Sequence, residues 1–176
     1  MARQYHLRCW TRFRAPADEV WAYKTNAANL DAERAPLLRL ALPDPVALTQ
    51  ALRGLGSQPL DGRLWWGGVL PGPRWPVQVR VDPADPHRIT ETSPDNPLFQ
   101  EWTHVRTLEE AADAVRYMDA VTFAPRLPAT RLVARAVEEL FIHAHKQSAR
   151  RFETDARATA VAMLRVVPTE EERWQE

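Results

Sequence analysis

Cysteine is almost missing from this chain: Cys9 is the single one in 176 residues. A lone thiol closes no internal disulfide, which excludes a disulfide-stapled scaffold and points to a reducing, cytoplasmic setting. Its place in an alternating segment suits a small buried hydrophobe better than a reactive nucleophile. An excess of either charge is also lacking, because 23 basic residues balance 23 acidic ones. No basic excess therefore draws phosphate backbones or anionic lipid, which disfavours nucleic-acid and polybasic membrane readings. No apolar run approaches the ~20 residues of a membrane-crossing helix, and the first residues carry no apolar core of a secretory signal. Lysine is confined to Lys24 and Lys146, so nearly every cation is an arginine, able to fork onto a carboxylate. Gly54-Leu55-Gly56 lacks the third glycine and the strand-to-helix setting of a dinucleotide loop. Walker loops, Cys-rich zinc patterns, zincin helices and nucleophile-elbow serines are absent too. The expectation is a protein with no cofactor and no metal.

What is present is a clear alternation of periods. Tyr5, Leu7, Cys9, Thr11 and Phe13 share one face of a ten-residue period-two segment, the mark of a half-buried strand. Ala15-Pro16-Ala17-Asp18-Glu19 opens a short helix, with its acids where the dipole favours them. A second helical segment is expected over Asn29–Leu42, interrupted at Pro36. A third runs from the capping Asp44 to Arg53, with Gly54 just past its end. Gln58–Arg63 reads as a loop. Strands follow at Leu64–Leu70, Val77–Asp82, His87–Thr92, Phe99–Leu108 and Val115–Phe123. From Ala129 to about Met163 one helical pattern continues without glycine or proline, a rod of ~50 Å. Pro168 onward is a charged tail. A sheet that packs on a single helix must curl, and the hollow left beneath the helix suits a small ligand.

Four segments carry a resemblance to a known family. They are Ala15-Pro16-Ala17-Asp18-Glu19-Val20-Trp21, Phe99-x-x-Trp102-x-His104-x-Arg106, Asp119-x-Val121-x-Phe123-x-Pro125 and Phe141-x-His143-x-His145. In this order and spacing the chain resembles the START-like superfamily, also called SRPBCC or polyketide cyclase/dehydrase-like. The resemblance covers roughly Tyr5 to Ala158. It implies an α+β helix-grip fold: a curved antiparallel sheet wrapped around a long C-terminal helix, with short helices after the first strand. It further implies one ligand-binding domain over residues 1–167, with 168–176 as tail. Members include lipid carriers, metabolite binders, aromatic polyketide cyclases and chaperone regulators, so the resemblance implies a pocket rather than a reaction. Two departures stand out: the segment Pro43–Asp61 is long enough to cover a pocket mouth, and Arg106 stands where many relatives carry a histidine.

The sharpest constellation lies in the last two strands of the hairpin. Closing it over residues 109–114 sets Leu108 opposite Val115, Arg106 opposite Tyr117, His104 opposite Asp119 and Trp102 opposite Val121, ~5 Å apart at Cβ. Asp119 or His104 is then the candidate acid or base, or a polar anchor for a ligand oxygen. The same pair also fits a self-satisfied buried contact. Arg106 is a candidate clamp for a ligand carboxylate, against the habit of sheet arginines to face water. His143 and His145 diverge by ~200° on a helix and cannot close on one metal; His145, bordering the apolar stripe, suits a helix-to-sheet hydrogen bond. Trp65 and Trp66 face opposite ways, and with Trp75 and Trp102 could make an aromatic wall or fill a wide core. The candidate lining is Tyr5, Leu7, Trp65, Val79, Trp102, Tyr117, Val121, Phe141 and Ala144, with His104, Arg106, Asp119 and His145 as polar contacts. The expected partner is a small hydrophobic or aromatic molecule, without nucleic acid or stable membrane insertion, on a monomer or homodimer. A cofactor-independent cyclase or dehydratase and a protein-interaction module using 44–53 or the tail are the rival readings.

Overall fold

The computed structural model describes residues 3–55, 59–111, 113–154 and 159–167, with backbone alone for 162–167. Eight strands form one antiparallel sheet in the order β2-β3-β4-β5-β6-β7-β1-β8. They are β1 (Gln4–Phe13), β2 (Leu38–Ala41), β3 (Leu60–Trp66), β4 (Leu70–Asp82), β5 (Asp85–Thr92), β6 (Phe99–Ala111), β7 (Ala114–Pro125) and β8 (Thr159–Val167). Between β1 and β3 come three short helices, α1 (Ala17–Lys24), α2 (Ala27–Arg34) and α3 (Pro45–Leu52), and after β7 the long helix α4 (Thr130–Arg151). This is the α+β helix-grip arrangement: the sheet grasps α4, with the short helices after the first strand.

The side chains that α4 turns inward recur at steps of three and four: Ala134, Val137, Phe141, His145, Ser148 and Phe152. Ala134 and Val137 pack with Tyr5, Leu7, Val121 and Phe123 of the sheet. Phe152 meets the rings of Phe13 and Tyr23, at 5.2 and 5.3 Å between centroids. Across the sheet a second core joins Leu30 of α2 and Leu48, Ala51 and Leu52 of α3 to Val77, Val79 and Ile89. α3 has the expected capping: the Asp44 carboxylate accepts from the backbone N–H groups of Val46 and Ala47, and Gly54 takes φ +75° beyond its end.

Four expectations change. The C-terminal helix does not run to Met163. It stops at Arg151, 22 residues or ~33 Å, in a Schellman arrangement with Glu153 at φ +50° and the N–H of Thr154 on the carbonyl of Ala149 at 2.8 Å. Its former continuation pairs as β8 with β1. Asn29–Leu42 is α2 followed by strand β2, which pairs with β3, not two pieces of helix around Pro36. The expected loop before Leu64 is strand from Leu60, and the chain turns over at Gly67 and Gly68, both at positive φ, so that β4 begins at Leu70. Lastly, the β6–β7 hairpin closes later, with Ala111 paired to Ala114. Arg106 then faces Asp119, His104 faces Val121, Leu108 faces Tyr117 and Trp102 faces Phe123, two residues out of the expected register. A slip of two preserves which face each side chain takes, so the constellation survives in a different pairing. The tail at 168–176 lies outside the described residues.

Candidate functional site

A partly open cavity of about 460 Å³ lies between α4, α2 and the concave face of the sheet. Leu30, Leu38, Leu40, Leu48 and Leu64 line one side; Trp75, Phe99, Trp102 and Phe141 line the other. Trp75 and Trp102 meet edge to face at 5.0 Å, and Phe99 closes on both, so part of the wall is a rigid aromatic corner. Exposed Leu37, Trp66, Leu127 and Ala136 stand at the mouth. The segment after Pro43 is a wall here, since α3 packs on β4 and contributes Leu48 to the lining.

The inner end is polar, built by four strand positions in a checkerboard. Glu91 on β5 faces His104 on β6, and one rung further along Arg106 on β6 faces Asp119 on β7. The contacts run along both diagonals. His104 Nε2 lies 2.8 Å from Asp119 Oδ1, and Arg106 Nη2 donates to Glu91 Oε2 at 3.0 Å. The other nitrogen of His104, Nδ1, is 3.2 Å from Glu91 Oε2. Both ring nitrogens thus face carboxylate oxygens.

Asp119 collects two more donors. The Tyr117 hydroxyl donates to Oδ1 at 2.8 Å, and His145 Nε2 from α4 reaches Oδ2 at 2.9 Å. The other nitrogen of His145 is 2.8 Å from Thr11 Oγ1, so this fully buried imidazole ties the helix to β1 and β7. Burial alone would raise the Asp119 pKa; the charge and hydrogen bond of His104, with those of His145, outweigh it and hold the group well below the usual carboxylate range. Glu91 behaves alike: burial pushes it up, but the Arg106 charge and then His104 bring it down to about 2. Burial and then the Asp119 charge drive the Tyr117 hydroxyl well above its ordinary value.

A second buried ion pair adjoins this network. Lys24 Nζ from the end of α1 lies 2.8 Å from Glu33 Oε1, and Ser148 Oγ on α4 bonds to both partners. The Lys24 ammonium sits 4.5 Å from the centre of the Tyr117 ring, which joins the two clusters. Among the described residues no group of three or more His, Cys, Asp or Glu side chains is placed to hold a metal ion.

Of the residues singled out from sequence, Trp102, His104, Arg106 and Phe141 line the cavity. Tyr117, Asp119 and His145 stand behind that floor, and Tyr5, Leu7 and Val121 are core packed beneath α4. Val79 lies in the core under α3, and Ala144 supplies a carbonyl to Ser148. At the tryptophan pair the lining residue is Trp66, not Trp65: alternation from the buried Leu64 carries Trp66 to the cavity side. His143 is apart from the site, at 2.8 Å from the carbonyl of Ala35. The residues sequence reasoning passed over are Glu91, Arg34 and the leucines of α2 and β2. Period two from the buried Ile89 would have put Glu91 on the inner face.

A helix held in the curl of an antiparallel sheet over an apolar hollow is the helix-grip fold, and solved structures agree. The fold matches a START superfamily protein from Mycobacterium smegmatis with a TM-score of 0.62 at 15% identity, over 84% of this chain and 97% of that one. It matches the Zhui aromatase/cyclase from Streptomyces sp. R1128 at 0.63 and 16%, over 87% and 98%. A major latex-like protein from Panax ginseng gives 0.54 at 8% identity, over 85% and 97%. At such identities the likeness concerns fold alone. The chain itself belongs to the family described as Domain of unknown function (DUF8410), whose model matches residues 11–152. No curated protein matches the sequence. Among the described residues no helix is long and apolar enough to cross a membrane.

Proposed function

We propose that this protein binds and holds a small hydrophobic or aromatic molecule in the cavity under α4, for transport or sequestration. The polar end of the ligand lies against His104, Arg106 and Glu91, its apolar body among Trp75, Phe99, Trp102, Phe141 and the leucines of α2, β2 and β3. One observation carries the reading: a cavity of about 460 Å³ with a leucine and aromatic lining and a few convergent polar groups at its inner end. Small-molecule sites are typically ~300–1,000 Å³ and have this composition. A large apolar hollow forfeits dispersion contacts in the folded protein, and a ligand restores them.

Holding is favoured over turnover by the hydrogen bonding of the floor. A cyclase-type proton transfer needs a basic atom free to reach the substrate. Both nitrogens of His104 are engaged by carboxylates, and Asp119 stands behind the floor with three donors on it. In this reading Asp119 and His145 position His104. The test is a fluorescence titration with the uncharged probe N-phenyl-1-naphthylamine against the native protein and Ala136→Trp, which plugs the mouth from an exposed position. Saturable binding to the native protein, lost in a variant of unchanged stability, is expected. Absence of saturable binding, or binding indifferent to the plug, contradicts the reading.

A further inference from the structure

We propose that the ligand of this cavity is an apolar monocarboxylic acid, its carboxylate taken between Arg106 on the floor and Arg34 on α2; this rests on the reading that the cavity holds a ligand at all. The first observation is an arginine whose donors are only partly used. Arg106 is 1% exposed and lines the cavity. Only Nη2 makes an aligned hydrogen bond, to Glu91 Oε2. Nη1 is in ion contact with Glu91 Oε1 at 2.8 Å, but its N–H directions miss that oxygen. Nε lies 3.9 Å from Asp119 Oδ1, beyond hydrogen-bond reach. Among the described residues Nε has no acceptor and Nη1 no aligned one. Buried N–H donors without aligned acceptors are rare in native proteins; both atoms are closed off from the cavity, so what Arg106 offers a ligand at this wall is its positive charge.

The second observation is independent of the first. Arg34, at the C-terminal end of α2, lines the same cavity and is half-buried, and among the described residues it makes no ion pair or hydrogen bond. Its charge acts on Glu91, so it belongs to the same electrostatic site. The acidic side chains on the cavity are Glu91, already shared by Arg106 and His104, and Glu139, exposed at the rim.

A carboxylate has the paired oxygens that a guanidinium fork engages best. The apolar wall around this end excludes much of the water that would screen the attraction. The remaining lining is aliphatic on one side and aromatic on the other, so a fatty-acid chain and an aryl ring are the two bodies that fit the acid.

The experiment compares matched acid and alcohol pairs by isothermal titration calorimetry: dodecanoate against 1-dodecanol, and 1-naphthoate against 1-naphthalenemethanol. In at least one pair the acid is expected to bind the native protein tenfold or more tightly than the alcohol, about 1.4 kcal/mol. The pair that does so tells whether the body is a chain or a ring. Arg106→Gln strands the Glu91 carboxylate and risks unfolding, so the variant is the partly exposed Arg34→Gln, in which the preference should fall to threefold or less. Alcohols binding as well as acids in both pairs, or a preference unchanged in Arg34→Gln, overturns the inference. Failure of both acids to bind overturns it too. If N-phenyl-1-naphthylamine still binds, the ligand-holding reading stands; if it does not, both fall.

Discussion

Asp119→Asn is the most telling single substitution in the core. The native carboxylate accepts from Tyr117 and His145 and is bonded to His104, all at 2.8 or 2.9 Å and all buried. Asparagine keeps the shape but loses the charge, and one of its two terminal atoms becomes an NH₂ facing a donor. At least one of the three bonds is then lost, and His104 keeps only Glu91 as a carboxylate partner. Removing one partner of a buried ion pair costs ~3–5 kcal/mol. Domains are stable by only ~5–15 kcal/mol, so the expected loss is a large share of the total. For a chain of this size it corresponds to a fall in Tm of about 6–20 °C. Urea denaturation followed by circular dichroism, with a thermal scan, measures both. A variant within about 1 kcal/mol of the native protein refutes the positioning role. So does a variant of native stability that no longer binds the ligand, since Asp119 would then touch the ligand itself.

Acid should unfold the protein through the same groups. Both Glu91 and Asp119 have folded pKa values below their ordinary ones, 4.5 and 3.8, so their stabilisation is complete above about pH 4.5 and is lost as the pH falls toward 2. A stability profile flat between pH 5 and 2 contradicts this. Lys24→Met leaves Glu33 buried without its cation and should lose ~3–5 kcal/mol, whereas Lys24→Met/Glu33→Leu should recover most of it; equal losses in the two refute the ion-pair account. Cys9 is fully buried, and burial and then the Asp119 charge raise its thiol pKa, so it should resist an aqueous disulfide reagent until the protein unfolds. Labelling of the native protein at the rate of a free thiol is the contrary result.

Much of the architecture could be read from period and punctuation. The ten alternating residues of β1, the Asp44–Pro45 start of α3 and the facial assignment of β6 and β7 all come from local rules. Those rules fix which side a residue faces more firmly than what it pairs with. The hairpin therefore kept its inward set while shifting by two, and His104 met Asp119 along a diagonal instead of directly across. The end of the long helix is not legible locally, because no glycine or proline falls between Ala129 and Met163 to stop it. Only pairing with β1, a long-range contact, makes the residues from Thr159 a strand. The cavity wall from α2 and β2 was hidden for a similar reason. Leu38 and Leu40 alternate over just four residues of strand, too few for a period to declare itself. Lys24 and Glu33 look like ordinary charges on surface helices; only the folded packing of α1, α2 and α4 buries them together.

Methyl NMR of leucine-labelled protein titrated with N-phenyl-1-naphthylamine probes the hollow under α4 most directly. Saturable shifts are predicted for the methyls of Leu30, Leu40, Leu48, Leu64 and Leu140, which line the cavity, and not for the exposed Leu55 and Leu132. Shifts confined to the exposed pair, or no saturable shift at the lining leucines, would contradict the proposal that this domain encloses a ligand.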